Sequence, residues 1–106
     1  MGVYVGKETK IQEVRMKYIE SLVILRGAVS RKRVSAVFGV ADACVTRDIL
    51  RYSQAAPGRI RYNHFVKEHQ VMPEFQPHYF KHDRDWIEQA KEFQEAVHTA
   101  FGVITL

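Results

Sequence analysis

The chain has 106 residues and one cysteine, and 46% of its residues are hydrophobic. This length suits a single domain, the hydrophobic content excludes a globally disordered chain, and one cysteine excludes an internal disulfide. Lys and Arg outnumber Asp and Glu by 16 to 12, but unevenly: residues 1–72 carry 13 against 6, and residues 73–106 carry 3 against 6. A basic first part followed by an acidic second part is typical of proteins that bind nucleic acid.

The first predicted helix begins after residues 1–8, which we expect to form a loose arm. Thr9 and Gln12 have the spacing of a capping box. Five apolar residues follow at helical spacing as far as Gly27: Ile11, Val14, Tyr18, Leu22 and Leu25. This stripe predicts a helix whose face packs on the core, with a partner-binding face as the alternative.

The segment from residue 31 to the Pro57-Gly58 turn predicts a helix-turn-helix. A short helix over residues 31–38 ends at Gly39, which suits the left-handed conformation at a helix end. A second helix follows almost at once and stops at Pro57-Gly58. Three apolar residues stand on one of its faces: Val45, Ile49 and Tyr52. In a helix-turn-helix, the second helix enters the major groove of DNA.

Residues 59–63 alternate polar and apolar, as a half-buried strand does. With a return strand at His69 they predict a basic hairpin, or wing, whose tip is His64, Phe65 and Val66. The fold class is therefore mainly α (α+β): a winged helix-turn-helix over residues 9–72 with a two-stranded wing. The alternative is three helices and a hairpin that only pack together.

Basic residues between positions 26 and 68 give this segment its positive charge, and each phosphate that they neutralise releases counterions from DNA. We expect Ala43, Cys44, Thr46 and Arg47 near base edges, because residues near the start of a recognition helix lie there. Arg47 is the candidate for a contact with guanine O6 and N7. The other expected DNA contacts are Arg31, Lys32, Arg33 and Arg51 on phosphates, and Arg59, Arg61 and Lys67 on the wing. Asp48 is expected to form hydrogen bonds within the domain.

Residues 73–82 predict an extended linker, since Pro73 and Pro77 discourage helix between them. Asp85 and Glu88 then predict the start of a last helix within residues 83–106, running to about Phe101. Its apolar residues step by four and three along the seam Trp86, Ala90, Phe93, Val97, Ala100 and Ile104. This alternation predicts a coiled-coil seam, and hence a homodimer through Trp86, Ala90, Phe93, Val97 and Ile104. The alternative is a helix that folds back onto its own domain.

No pattern indicates catalysis, a metal or a cofactor. His78 and His82 are four apart, but no Cys or Glu completes a ligand set. Cys44 has no recognisable base partner. The sequence has no phosphate loop and no nucleophile elbow. We therefore expect no enzyme activity and no small-molecule ligand. No apolar run approaches the roughly 20 residues that span a bilayer, and from the pattern of the first residues we expect neither a signal peptide nor myristoylation.

The segment from Val40 to Asn63, with the exit at residues 73–77, resembles the N-terminal winged-helix domain of WYL-domain transcriptional regulators. The nearest resemblance is to the branch that controls anti-phage defence islands. The matching residues lie within about residues 10–80: Asp48, Arg51, Tyr52, Ala56, Pro57, Gly58, Arg61, Tyr62, Pro73, Phe75 and Pro77. The family's WYL domain would follow the exit. Here one more helix follows, so ligand sensing is not carried over.

The resemblance implies a dimeric repressor that reads an inverted repeat in double-stranded DNA. Such a protein would lie in the cytoplasm of a prokaryote, or be encoded by a phage, and associate with the nucleoid. Two alternatives remain at this point. One is a winged helix that docks on other proteins, and the other is an architectural DNA-binding factor that acts in recombination.

Overall fold

The computed structural model describes residues 9–103, in which four helices surround a core beside a small sheet. The predicted arm and Ile104 lie outside the described residues. The helices are α1 (Lys10–Arg26), α2 (Arg31–Phe38), α3 (Asp42–Ala55) and α4 (Trp86–Ala100). The strands are β1 (Ala28–Val29), β2 (Ile60–Asn63) and β3 (Glu68–Val71).

The ends of the helices follow local signals in the sequence. Thr9 and Gln12 form the expected capping box, in which each side chain accepts from the other residue's backbone N–H. Asp85 accepts hydrogen bonds from the first-turn amides of α4. Gly27 and Gly39 close α1 and α2 with φ of 74° and 64°, the left-handed region that glycine enters without steric cost.

The sheet has three strands rather than the expected two. Its order is β1-β3-β2, and both pairs are antiparallel. His69 of β3 pairs with Val29 of β1 on one side and with Tyr62 of β2 on the other. Because β1 has only two residues, it has no alternation that the sequence could reveal. The wing itself, β2 and β3 with a turn over residues 64–67, is present as expected.

Helix α1 occupies the centre of the core and is buried on several faces. Tyr18 and Leu22 of the expected stripe are fully buried, but Ile11 at its start is 43% exposed, so the stripe begins later than expected. Met16, Ile19 and Val23 are buried as well, although they lie outside that stripe. A single amphipathic stripe therefore underestimates how much of α1 the other elements cover.

Helix α4 packs on α1 of the same chain, which is the folded-back alternative. Ala90 and Val97 are buried against the core, and Phe93 packs beside them. The Gln94 amide donates to Ser21 Oγ over 2.9 Å. Residues predicted to form the dimer seam are therefore packed against their own chain.

The two ends of α4 are also in contact with the rest of the chain. Trp86 packs edge-on against Phe75, with 6.3 Å between ring centroids. At the other end, Phe101 contacts Phe38 of α2 at 4.8 Å. Three of the predicted seam residues therefore face α1, while Trp86 packs against the segment that connects β3 to α4.

The predicted linker is docked on the core by the carboxylate of Glu20, which is 0% exposed. Tyr52 Oη of α3 donates to Glu20 Oε2 over 2.6 Å. The backbone N–H groups of His78 and Tyr79 donate to the same carboxylate at 2.6 to 2.8 Å. Pro77 is buried beside them. One carboxylate thus joins α1, α3 and the segment after the wing.

Replacing Glu20 by Gln should lower the free energy of unfolding by about 3 kcal/mol, because the amide removes the negative charge and replaces one of the two acceptor oxygens by a donor in a site surrounded by donors. Tyr52→Phe removes only one donor and should cost about 1 kcal/mol. Urea unfolding measures both.

The matched control for these variants is Glu13→Gln, an exposed position on the same helix. Its free energy of unfolding should stay within about 0.5 kcal/mol of the parent. If the Glu20 variant proves as stable as this control, the carboxylate does not hold the three elements together.

Mild acid should loosen the packing of α4. His98 Nε2 lies 2.7 Å from Tyr18 Oη, and burial, with Arg33 nearby, lowers the pKa of His98 below its ordinary 6.5. Because the pKa is lower in the folded state than in the unfolded chain, the neutral imidazole stabilises the fold above pH 6.5. This contribution is lost as the pH falls through the folded-state pKa. Urea midpoints between about pH 7.5 and 5.5 should therefore decline.

His98→Gln, which cannot titrate, should flatten that decline without removing it. Burial also lowers the pKa of His69 on β3, and this second group contributes in the same direction. An unchanged pH dependence in the His98 variant would contradict the assignment.

Candidate nucleic-acid interface

The inner face of α3 is fixed by apolar and ionic contacts. Val45, Ile49 and Tyr52 are buried, as the sequence predicted. Asp48 is 1% exposed, accepts from Arg15 Nε of α1, and lies 3.1 Å from Arg51 of its own helix. The expected internal role of Asp48 is confirmed by these contacts. Since both apolar packing and a buried ion pair hold α3, its opposite side is presented in one orientation.

That opposite side, the outer face of α3, is solvent-exposed along the whole helix. Thr46 and Arg47 lie near its middle. Each of its members stands three or four residues from another member: Ala43, Thr46, Arg47, Leu50 and Gln54. Three of the predicted base-edge residues therefore lie together on this face. The fourth, Cys44, is half-buried and its Sγ lies 4.0 Å from Asp48 Oδ2, so it turns away from the outer face.

The start of α2 lies beside the outer face. Arg31 Nη1 donates to Thr46 Oγ1 at 3.4 Å, and Thr46 Oγ1 in turn donates to the Asp42 carbonyl. Lys32 is exposed next to it. These two cations therefore border the outer face of α3. Cations beside a helix that enters the major groove are placed to contact the phosphates along that groove.

Three of the arginines predicted to contact DNA are half-buried. Arg33 is half-buried, and its charge acts on Tyr18 and His98. Arg51 pairs with Asp48. Arg59 donates to the carbonyls of Pro57 and Gln76, at 2.9 and 3.1 Å, which ties the end of α3 to the linker. These contacts give Arg51 and Arg59 structural partners.

The wing presents the remaining predicted cations. Arg61 and Lys67 are exposed. At the tip, Asn63 Oδ1 accepts from the backbone N–H groups of Phe65 and Val66, and Asn63 Nδ2 donates to Gln70 Oε1. This turn leaves Phe65 97% exposed. The tip is thus a hydrogen-bonded turn that exposes the apolar side chains of Phe65 and Val66 next to Lys67.

A groove of about 530 Å³ separates α3 from the wing. Leu50 lines it on the helix side, and Tyr62 and His69 line it on the wing side. Lys32 and Lys67 lie at its borders. Burial, with Arg31 nearby, lowers the pKa of His69, so that its imidazole favours the neutral form in this groove.

Sequence reasoning missed two residues of the outer face, Leu50 and Gln54. Both could have been found, because they stand three and seven residues after Arg47 and continue its helical row. It also missed Arg15 as the partner of Asp48. That pair is separated by 33 positions, and no local pattern announces it.

Within residues 9–103, no three His, Cys, Asp or Glu side chains lie close enough to share a metal ion. None of the described helices is long and apolar enough to cross a membrane.

Comparison with known proteins gives one family. No curated protein matches the chain. The family model described as the BrxR transcriptional regulator winged helix-turn-helix domain matches residues 12–89, which run from the first turn of α1 into the first turn of α4. The match covers the helix-turn-helix, the wing and the docked linker alike. The chain therefore belongs to the family of BrxR transcriptional regulator winged helix-turn-helix domains.

Proposed function

We propose that this protein is a sequence-specific regulator that reads double-stranded DNA with the outer face of α3. The main support for the proposal is that the basic side chains fall into two groups, those exposed to solvent and those bound within the chain. Arg47 lies exposed on the outer face, Lys32 and Lys67 lie exposed at the groove beside it, and Arg61 lies exposed on β2 of the wing. Arg51 and Arg59 have partners within the chain instead, and Arg33 is half-buried. A surface that leaves such charges free suits a polyanion.

Within this proposal, Arg47 contacts a guanine, and Lys32, with Arg31, holds phosphates on one side. Arg61 and Lys67 hold the backbone on the wing side. This division follows the rule that phosphate contacts position a protein while base contacts give it sequence preference. Docking on another protein is less well supported, because a docking helix presents several large apolar anchors and Leu50 is the one large apolar side chain among the outer-face residues.

Repression by a dimer on an inverted repeat, at genes of phage defence, is the finer part of the proposal. A single winged helix grips one half-site, and two half-sites give the usual specificity. The seam of α4 can pair two copies only if the helix leaves α1, because Ala90 and Val97 are buried there. We therefore propose that two copies meet on adjacent half-sites while each keeps α4 packed.

Selection of bound sites from a random duplex pool tests the proposal. We expect a consensus of two inverted half-sites whose centres lie about 10 base pairs, or a multiple of this, apart. A single half-site would contradict the dimer alone. If no sequence is enriched, the regulator proposal fails and an architectural role replaces it.

Substitutions should separate base reading from phosphate binding. Arg47→Ala should weaken binding to the selected site about 5-fold to 150-fold and relax its base preference. Lys32→Ala should weaken all duplexes alike and reduce the salt dependence of log K by about one unit. Fluorescence anisotropy at several salt concentrations measures both effects.

Lys91→Ala, an exposed change on α4, serves as the control for lost positive charge. It should leave affinity and salt dependence unchanged, because α4 lies on the acidic part of the chain. If Arg47→Ala lowers specific and random-sequence binding in equal proportion, Arg47 binds phosphate and not a base.

A further inference from the structure

Leu50 is a large apolar side chain that the fold does not use. It is 59% exposed in the middle of the outer face of α3. Its neighbour Ile49 is 3% exposed and supplies the core contact at this level of the helix. The outer-face residues one turn before and after Leu50 are polar or charged: Thr46, Arg47 and Gln54. A single large apolar side chain among polar ones on this face is suited to contact a single apolar group on whatever molecule binds there.

We propose that Leu50 contacts the C5 methyl group of a thymine and thereby determines part of the sequence preference. This inference rests on the proposed function. The edges of the base pairs in the major groove present hydrogen-bond donors and acceptors, and the thymine methyl is the apolar group among them. A leucine in that position favours thymine, because against the other three bases it would cover polar atoms without a hydrogen bond.

The spacing along α3 places this thymine near the guanine of Arg47. Three residues of α-helix advance about 4.5 Å, and stacked base pairs lie roughly 3.4 Å apart. The thymine should therefore stand one or two base pairs from that guanine. Gln54, about 6 Å further along the helix, is placed to pair with an adenine N6 and N7 beyond it.

The surroundings of Leu50 favour DNA over a protein as its partner. The groove beside it is bordered by Lys32 on α2 and Lys67 on the wing, and both cations are exposed. Amphipathic helices that dock in protein grooves present a row of apolar anchors at i, i+3 or i+4, and i+7. At those positions around Leu50 the outer face has Arg47, Thr46 and Gln54.

The test replaces each thymine of the selected site, one at a time, with uracil, which removes the methyl group and keeps every hydrogen bond. At one position per half-site, next to or one base pair removed from a guanine, the affinity should fall about fivefold. Leu50→Ala should bind the thymine and uracil duplexes equally at that position. Arg47→Ala should keep the difference between them.

Ile87→Ala is the matched control, since Ile87 is an apolar residue of similar exposure on α4. It should preserve both the affinity and the uracil effect, and circular dichroism verifies that each variant folds. Uracil without effect at every position, or an undiminished effect in the Leu50 variant, overturns this proposal alone. A chain that enriches no site contradicts the proposed function and this inference with it.

Discussion

A fully buried carboxylate is tolerated only where donors surround it, and this requirement at Glu20 organises the fold. Its donors come from two distant segments: the hydroxyl of Tyr52 on α3, and the backbone N–H groups of His78 and Tyr79. Burial, with the Glu20 carboxylate beside it, raises the pKa of Tyr52, so its phenol stays protonated and donates. Moving α3 or the linker would leave Glu20 buried with fewer donors. The end of α3 therefore has one position relative to α1.

A second buried carboxylate fixes the middle of α3. Asp48 pairs with Arg15 of α1, one helical turn before Tyr52. Together the two carboxylates hold the inner face of the helix at two levels, which explains why its outer face can be left wholly to solvent. A helix that reads base edges must hold its side chains within a fraction of an ångström of their partners, and rigid support of this kind supplies that accuracy. The direction in which Arg47 points on the outer face is therefore set by the contacts of the inner face.

Local features of the fold were predictable, whereas distant pairings were not. Gly27, Gly39 and the caps at Thr9 and Asp85 each act within one helical turn, so the sequence marks them directly. One of the donors to Glu20 lies 58 positions away, at His78. The spacing of apolar residues on α4 is compatible both with pairing to a second copy and with packing on α1. Its packing on α1 depends on the surface that the other elements form together. Arg59 illustrates the same limit, because the carbonyls that it binds are visible only in three dimensions.

Amide hydrogen exchange of His78 and Tyr79 tests most directly whether Glu20 anchors the chain. These two residues lie outside every helix and strand, yet their N–H groups point at a buried acceptor. If the carboxylate holds them throughout the life of the folded state, they exchange as slowly as the core amides of α1, by global unfolding. Exchange of both amides at the rate of an exposed loop would contradict the anchoring of α3 and the linker by Glu20.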